Sequence, residues 1–282
     1  MTFLRTLAFA AGLALTATTA LTSAASADQL ADIKASGKLV CGVLGTLEPF
    51  SFQDPETRET VGYDVDLCRA VAADLGVTLE VKPIAVEARI PELMQGRVDI
   101  ISAALGYTAD RAKQIDYSNT SYVSMQKILV KTAGGATTLD DLAQKKISAP
   151  KGSTSEKYLR AVLPEATALT FQDPPAAFLA LQQSKVSGMI LSEISLIKFM
   201  NQAGDGFALI AQPVAKEYWG LGLRKDEPAL KEAVNATLAR LETSGEGKAI
   251  FDKWLGAGTP YKMERAFTLD VPASEPVLKP GA

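Results

Sequence analysis

Apolar positions along this chain fall into two alternating rhythms. In residues 28–36, Leu30 and Ile33 share one helical face and Gly37 ends the run. Lys38-Leu39-Val40-Cys41-Gly42-Val43 is then a short apolar run of strand type. An amphipathic stretch opens at Gly62, continues to about Leu75 and closes at Gly76. Residues 77–81 read as a strand, 89–94 as a helix closed by Gly96, and 98–102 as a strand. Strand, helix, strand, helix, strand in this order predicts a parallel α/β sheet. The order then begins again. Residues 138–142 form a short helix, 146–149 a strand, and 151–156 a turn into a helix ending near Leu163. Helix 174–183, strand 186–191, helix 194–201 and strand 207–211 complete a second α/β unit of about ninety residues. Between the units, 117–125 is polar and aromatic and 126–131 is a strand. Residues 221–223 read as a strand, and 228–243 is a strong helix with Leu230, Val234, Leu238 and Leu241 on one face. A short helix over 246–255 follows, and the Pro/Gly-bearing tail after Gly256 is expected to lie along the surface or fray.

The first 27 residues stand apart from this pattern. Arg5 gives a positive start, 7–21 is an Ala/Leu/Thr-rich apolar run, and Ala25-Ser26-Ala27 is a small-residue cleavage site. The run is short for a membrane span. No cysteine follows the cleavage site, so no lipid anchor is expected there. Removing 27 of 282 residues leaves 255, enough for two modest domains. Only Arg5 is lost from the charged residues, so 28 Lys and Arg face 32 Asp and Glu and the net charge is −4. No basic stripe points to nucleic acid. An exported, soluble, mildly acidic protein is expected.

The chain contains no histidine. That excludes Ser-His-Asp and Cys-His catalysis and any histidine metal site, and no catalytic residue, metal or cofactor is expected. Cys41 and Cys68 are too far apart for a CxxC motif. In an oxidising compartment they pair as a structural disulfide or stand as two separate buried thiols.

The candidate chemistry centres on Asp99-Ile-Ile-Ser-Ala-Ala-Leu-Gly-Tyr-Thr-Ala-Asp-Arg111. Thr108 suits a helix N-cap, which puts Arg111 at the third helical position. A cation there opposes the helix dipole unless an anion sits nearby. Either Asp110, Asp116 or solvent supplies it, or Arg111 and the local N–H groups await a ligand carboxylate. Residues 45–52 form an aromatic turn at a strand's carboxyl end, where open α/β sheets bind ligands; Phe50 there is core or ligand wall. Asp64 and Asp66 suit a helix N-terminus electrostatically, which explains them without a metal.

Taken together, Pro49-Phe50-Ser51-Phe52, Gly62-Tyr63-Asp64-Val65-Asp66-Leu67, Arg89-Ile90-Pro91, Thr108-Ala109-Asp110-Arg111, Gly152-Ser153-Thr154 and Gly222-Leu223-Arg224-Lys225 resemble family 3 of the extracellular solute-binding proteins. These are the periplasmic amino-acid receptors of ABC importers. The resemblance covers nearly the whole mature chain. Arg89, the Cys41/Cys68 pair and Pro260-Tyr261-Lys262 look most like the glutamate/aspartate and general amino-acid branch.

The resemblance implies an α/β, two-lobe type II clamshell, each lobe a mixed, mostly parallel sheet flanked by helices, with two hinge crossings. Lobe 1 would be 28–123 plus 218–268, lobe 2 would be 124–217, and 269–282 a tail. Leu47, Phe50, Val86, Arg89, Ala104, Leu105, Gly106, Arg111, Gly152, Ser153, Thr154, Ser192 and Glu193 would form the ligand site. Arg111 would take the ligand α-carboxylate in fork geometry, joined by N–H groups of Ser153 and Thr154. The partners implied are an amino-acid-like ligand and a membrane permease, with the receptor a monomer in the periplasm. Several positions depart from the family pattern. Ala104 and Gly106 stand where relatives carry Ser or Thr, and Leu44 replaces an early arginine of the acidic-amino-acid receptors. Ser192 occupies the place of the acid that takes the ligand ammonium, and Glu193, one residue on, is expected to assume that role with help from the Ser192 hydroxyl. Arg89 either meets a second carboxylate or pairs with Glu87 or Glu92.

Two other classes share such a scaffold: an exported cyclohexadienyl-dehydratase-like enzyme, for which Glu193 is the candidate acid, and a receptor that delivers its ligand to a sensor. Fold does not separate them. Protein exported by its host is expected to begin at Asp28. N-terminal sequencing checks this, and an intact leader, or a start more than a few residues away, contradicts it.

Overall fold

The computed structural model describes residues 28–280, so the expected leader, 1–27, lies outside the described residues. Asp28 caps the helix Gln29–Ser36, its carboxylate accepting from the Leu30 and Ala31 amides, and left-handed Gly37 ends it. The next helix, Tyr63–Leu75, begins at Gly62, where φ is 136°. A Cβ there would lie 2.3 Å from the Phe50 carbonyl oxygen. That close approach lets the Tyr63 and Asp64 amides donate to the Pro49 and Phe50 carbonyls at 3.0 and 2.9 Å. The aromatic turn is thereby fixed to the helix start.

A mixed ten-stranded sheet runs through the molecule. Its path is Thr78–Pro83, Lys38–Val43, Ile100–Ile101, Ala215–Leu223, Asp116–Lys131, Gly188–Ser192, Lys146–Pro150 and Thr167–Phe171. Pairing is parallel in the first half, where Lys38–Val43 lies between its two neighbours. It is parallel again in the second, where Lys146–Pro150 lies between Gly188–Ser192 and Thr167–Phe171. The halves are joined by an antiparallel ladder between Asp116–Lys131 and Ala215–Leu223, so the chain passes across and returns. Phe207–Leu209 and Val277–Leu278 add short antiparallel pairs at the sides.

The strands 117–131, 167–171 and 215–223 differ from the sequence expectation, the last being six residues longer at its start. Residues 117–131 are one continuous strand, not a polar stretch followed by a strand. Its Ser118 hydroxyl donates to the Asn119 carbonyl and accepts from the Leu221 amide at 2.8 Å. Polar composition therefore conceals buried strand positions. Thr167–Phe171 is an edge strand with no regular apolar alternation. Of the two outcomes expected for the tail, it takes the first and lies along the body of the protein. Leu269 is fully buried, Arg265 pairs with Glu242, and Val277–Leu278 hydrogen-bonds beside Ala215 and Lys216.

Cys41 on the first strand and Cys68 on the helix packed against it form a disulfide, their Cα atoms 6.3 Å apart. Opening it is expected to cost about 3 kcal/mol on the chain-entropy account of a loop of this length. The thermal midpoint should accordingly fall in reducing agent, and equal midpoints with and without reductant would contradict the estimate.

Candidate functional site

A small cavity of about 30 Å3 lies where the two halves of the sheet face each other. Leu44, Leu47, Val86, Arg89 and Ala104 line it from the first half; Pro150, Ser153, Thr154, Leu191 and Ser192 line it from the second. Gln126, Glu217 and Trp219, from the two long strands, line it as well. Strand ends and helix starts meet here, as open α/β sheets arrange their ligand sites.

Arg89 is 3% exposed and holds the helix start Arg89–Met94 against the chain at 103–104. Its Nε donates to the Val86 carbonyl at 2.8 Å, and Nη1 to the Ala103 and Ala104 carbonyls at 2.8 and 3.0 Å. Neither Glu87 nor Glu92 is its partner. Glu87 pairs with Lys151, and Glu92 with Lys82 and Arg97. Among the described residues, Arg89 Nη2 has no hydrogen-bond acceptor. Burial and the nearby Arg111 charge push Arg89 down to about 9, so it remains a cation at neutral pH.

Arg111 does not line the cavity; with Gly152 it lines a neighbouring, more open hollow that shares Ser153 and Thr154 with the cavity. Thr108 caps its short helix, Ala109–Ala112, with the hydroxyl accepting from the Arg111 amide. The two acids suspected as its partners are taken by lysines: Asp110 by Lys113 and Lys157, Asp116 by Lys225. Instead, Arg111 Nη1 donates to the Gly106 carbonyl at 2.8 Å and Nη2 to the Gly152 carbonyl at 3.0 Å. One guanidinium thus spans the cleft. Lys151–Glu87, Lys157–Asp110 and Lys198–Glu48 cross it too, at 2.7, 2.9 and 3.3 Å.

On the opposite wall, Ser153 caps the helix Thr154–Val162, its hydroxyl accepting from the Glu156 amide. Among the described residues the Thr154 and Ser155 amides have no acceptor, which leaves two helix-start donors at the cavity. Gly152, at φ 71°, turns the chain into this helix against Glu87. Ser192 also lines the cavity, its hydroxyl 2.8 Å from that of Ser195.

Six of the thirteen expected site residues are outside the cavity lining: Gly106, Arg111 and Gly152 stand beside it, and three lie elsewhere. Phe50 is a core residue, packed against Trp219, Tyr122 and Tyr63 at 4.8, 5.0 and 6.2 Å between ring centroids. Leu105 points away from the cavity and is buried against Gly222. Glu193 starts the helix Glu193–Ala203, but its carboxylate turns to Lys127 Nζ at 2.7 Å and does not line the cavity. The reason is local: Lys127 stands opposite Leu191 in the adjacent strand and supplies a cation on that side.

The carboxylate in the cavity is Glu217, which the sequence reading passed over. Along Ala215–Leu223, residues 215, 217, 219, 221 and 223 are all buried. A glutamate in the inward phase of an otherwise apolar alternation was the available signal.

A family model described as bacterial extracellular solute-binding proteins, family 3, matches residues 39–257. The chain belongs to that family. Among similar proteins, the ABC transporter glutamine-binding protein GlnH of Bacillus subtilis is 29% identical over 232 residues, 81% of this chain and 85% of that protein. The L-cystine-binding protein TcyJ of Escherichia coli is 28% identical over 246 residues, 86% and 92% of the two chains. An amino acid ABC transporter substrate-binding protein, AbpA from Streptococcus pneumoniae bound to L-arginine, superposes with a TM-score of 0.73 at 28% identity, covering 79% of this chain and 96% of that one. An ancestral amino acid-binding protein, a precursor of cyclohexadienyl dehydratase, gives 0.73 at 28% identity, covering 82% and 100%. The fold is the two-lobe α/β clamshell of type II periplasmic binding proteins.

In this family 3 protein, Asp64 supports the site from below. Its carboxylate accepts from the Ala104 amide at 3.1 Å and the Ser102 hydroxyl at 3.4 Å, holding Ala104 at φ 48° beside Arg89. Burial pushes Asp64 up to about 7, and the two hydrogen bonds offset part of that. A carboxyl raised on folding stabilises the fold fully below its unfolded pKa near 4, and that stability is lost as pH rises through about 7. The whole effect is on the order of 4 kcal/mol. Asp64→Asn should therefore gain in thermal midpoint relative to the parent as pH rises from 4 to 8. A pH-independent difference between the two would contradict this.

Proposed function

We propose that this chain captures an amino acid, or a related small carboxylate, between its lobes in the periplasm and delivers it, as a monomer, to the membrane permease of an ABC importer. Residues 28–123 with 218–268 move as one lobe, 124–217 as the other, and 269–282 as a tail. The antiparallel ladder between them is the hinge. The observation that carries this reading is the buried guanidinium of Arg89, which presents an unpartnered Nη2 to a cavity walled by both halves. Across that cavity stand the Thr154 and Ser155 amides. A carboxylate satisfies both walls at once, so it stabilises the closed arrangement more than the open one. The relatives' bound or named amino acids supply the ligand class.

The cross-cleft contacts support the same cycle. Arg111 meets neutral carbonyls on both sides, and a ligand carboxylate beside it offers stronger, charge-assisted acceptors. The three lysine–carboxylate pairs are partly exposed and individually weak. They bias closure without locking it.

A dehydratase needs a general acid beside a leaving hydroxyl. Glu217, the carboxylate lining the cavity, already accepts three hydrogen bonds, which supports binding without turnover. Ligand incubated with stoichiometric protein should be recovered unchanged by chromatography; catalytic appearance of a water-loss product overturns the reading. Arg111→Ala is expected to keep its fold. It should lose on the order of thirtyfold to several-thousandfold in affinity for whichever of L-arginine, L-glutamine, L-cystine or L-glutamate the parent binds. Calorimetry showing a loss under threefold places the ligand carboxylate elsewhere.

A further inference from the structure

Glu217 is 1% exposed, and its carboxylate faces the cavity from the return strand. Oε1 accepts from Gln126 Nε2 at 2.6 Å and from Trp219 Nε1 at 2.7 Å; Oε2 accepts from the Tyr158 hydroxyl at 2.9 Å. Burial and the Glu217 charge keep that hydroxyl protonated, and so a donor. Among the described residues Glu217 has no ion-pair partner. A buried carboxylate without a cation carries a desolvation cost that neutral donors only partly offset. Each carboxylate oxygen accepts two hydrogen bonds, so Oε2 keeps one acceptor position open.

The surrounding chain makes room for this group. A Cβ at Gly106 would stand 2.4 Å from Glu217 Oε2 and 3.1 Å from Thr154 Cγ2. The absence of a side chain at Gly106 is what allows the carboxylate to lie between the two walls. The other candidates for a cation acceptor are spent. Glu193 is neutralised by Lys127, and the Ser192 hydroxyl is engaged with Ser195.

We propose that Glu217 is the acceptor for the ligand's cationic nitrogen, whose N–H completes Oε2, and that Gly106 is the space that lets it reach. This rests on the amino-acid reading of the cavity and adds a polarity to it. The ligand's carboxylate lies toward Arg89, Arg111 and the Thr154 helix start, and its cation lies against the return strand. The nitrogen is an α-ammonium or a side-chain guanidinium. The charge is read from the antiparallel ladder that joins the two lobes.

Calorimetry on the parent and on Glu217→Gln tests it, with L-arginine, L-glutamine and two analogues lacking the α-amino group, 5-guanidinovalerate and glutaramate. Glu217→Gln should weaken the amino acid that the parent binds by about thirtyfold or more, to the level of an analogue whose cation is missing. If 5-guanidinovalerate is weakened equally, the guanidinium is the group held; if it is spared, the α-ammonium is. Gly106→Ala retains the carboxylate and all three donors but displaces Oε2. It should reproduce the loss, and it decides the matter should Glu217→Gln fail to fold. A loss under threefold in the folded Glu217→Gln protein, or an equal loss for glutaramate and L-glutamine, overturns the assignment while leaving the amino-acid reading standing. Failure of the parent to bind any α-amino acid overturns both.

Discussion

The antiparallel ladder between Asp116–Lys131 and Ala215–Leu223 is the constraint on which the rest depends. It connects two sheet halves whose inner strands pair in parallel, and its register sets how those halves meet. Ala215 stands opposite Gln126, Glu217 opposite Ser124, and Trp219 opposite Tyr122. Because strand residues alternate faces, one register brings Gln126, Glu217 and Trp219 to the same cavity. A slip of one residue would turn Glu217 outward and empty the cavity of its carboxylate. The register shifts at Gly220 and Gly222 sit just beyond this trio, where small residues admit the Tyr117 and Leu105 side chains.

Among the groups in and beneath the cavity, no acid is paired with a base. Arg89 gives its hydrogen bonds to carbonyls, Asp64 receives an amide and a hydroxyl, and Glu217 receives an amide, an indole and a phenol. The acids and bases that do neutralise one another, such as Lys127 with Glu193 and Lys82 with Glu92, lie off the cavity. A site assembled this way holds its polar groups in place while leaving their net charges available.

Much of this was visible in the sequence, for definite reasons. Gly37, Gly76, Thr108 and Ser153 mark helix ends by backbone or capping demands that local sequence fully encodes. The apolar run 38–43 and the amphipathic helices are equally local signals. Glu217 was hidden because only 221–223 of its strand was recognised, and the remaining six residues become a strand through pairing with a segment about a hundred residues away. Glu193 neighbours Ser192 in sequence, yet its direction is decided by Lys127 on the adjacent strand, a long-range ion pair that spacing does not reveal. Phe50 was legible as an aromatic anchor. Whether it faces ligand or core is decided by Trp219, Tyr122 and Tyr63 converging on it from three elements.

The docked tail gives the molecule a property of practical use. The Thr120 amide donates to the Val271 carbonyl at 2.7 Å, Asn119 bridges Pro272, and the Lys279 amide reaches the Val214 carbonyl at 2.9 Å. These contacts run alongside both long strands of the ladder, so the last described residues are bonded to the segment proposed as the hinge. A dye or reporter fused after Pro280 would be carried by the flexure itself. One placed on Gln29–Ser36 would travel rigidly with the first half of the sheet. The chain therefore offers two attachment points with different mechanical couplings, a natural layout for an optical sensor of closure.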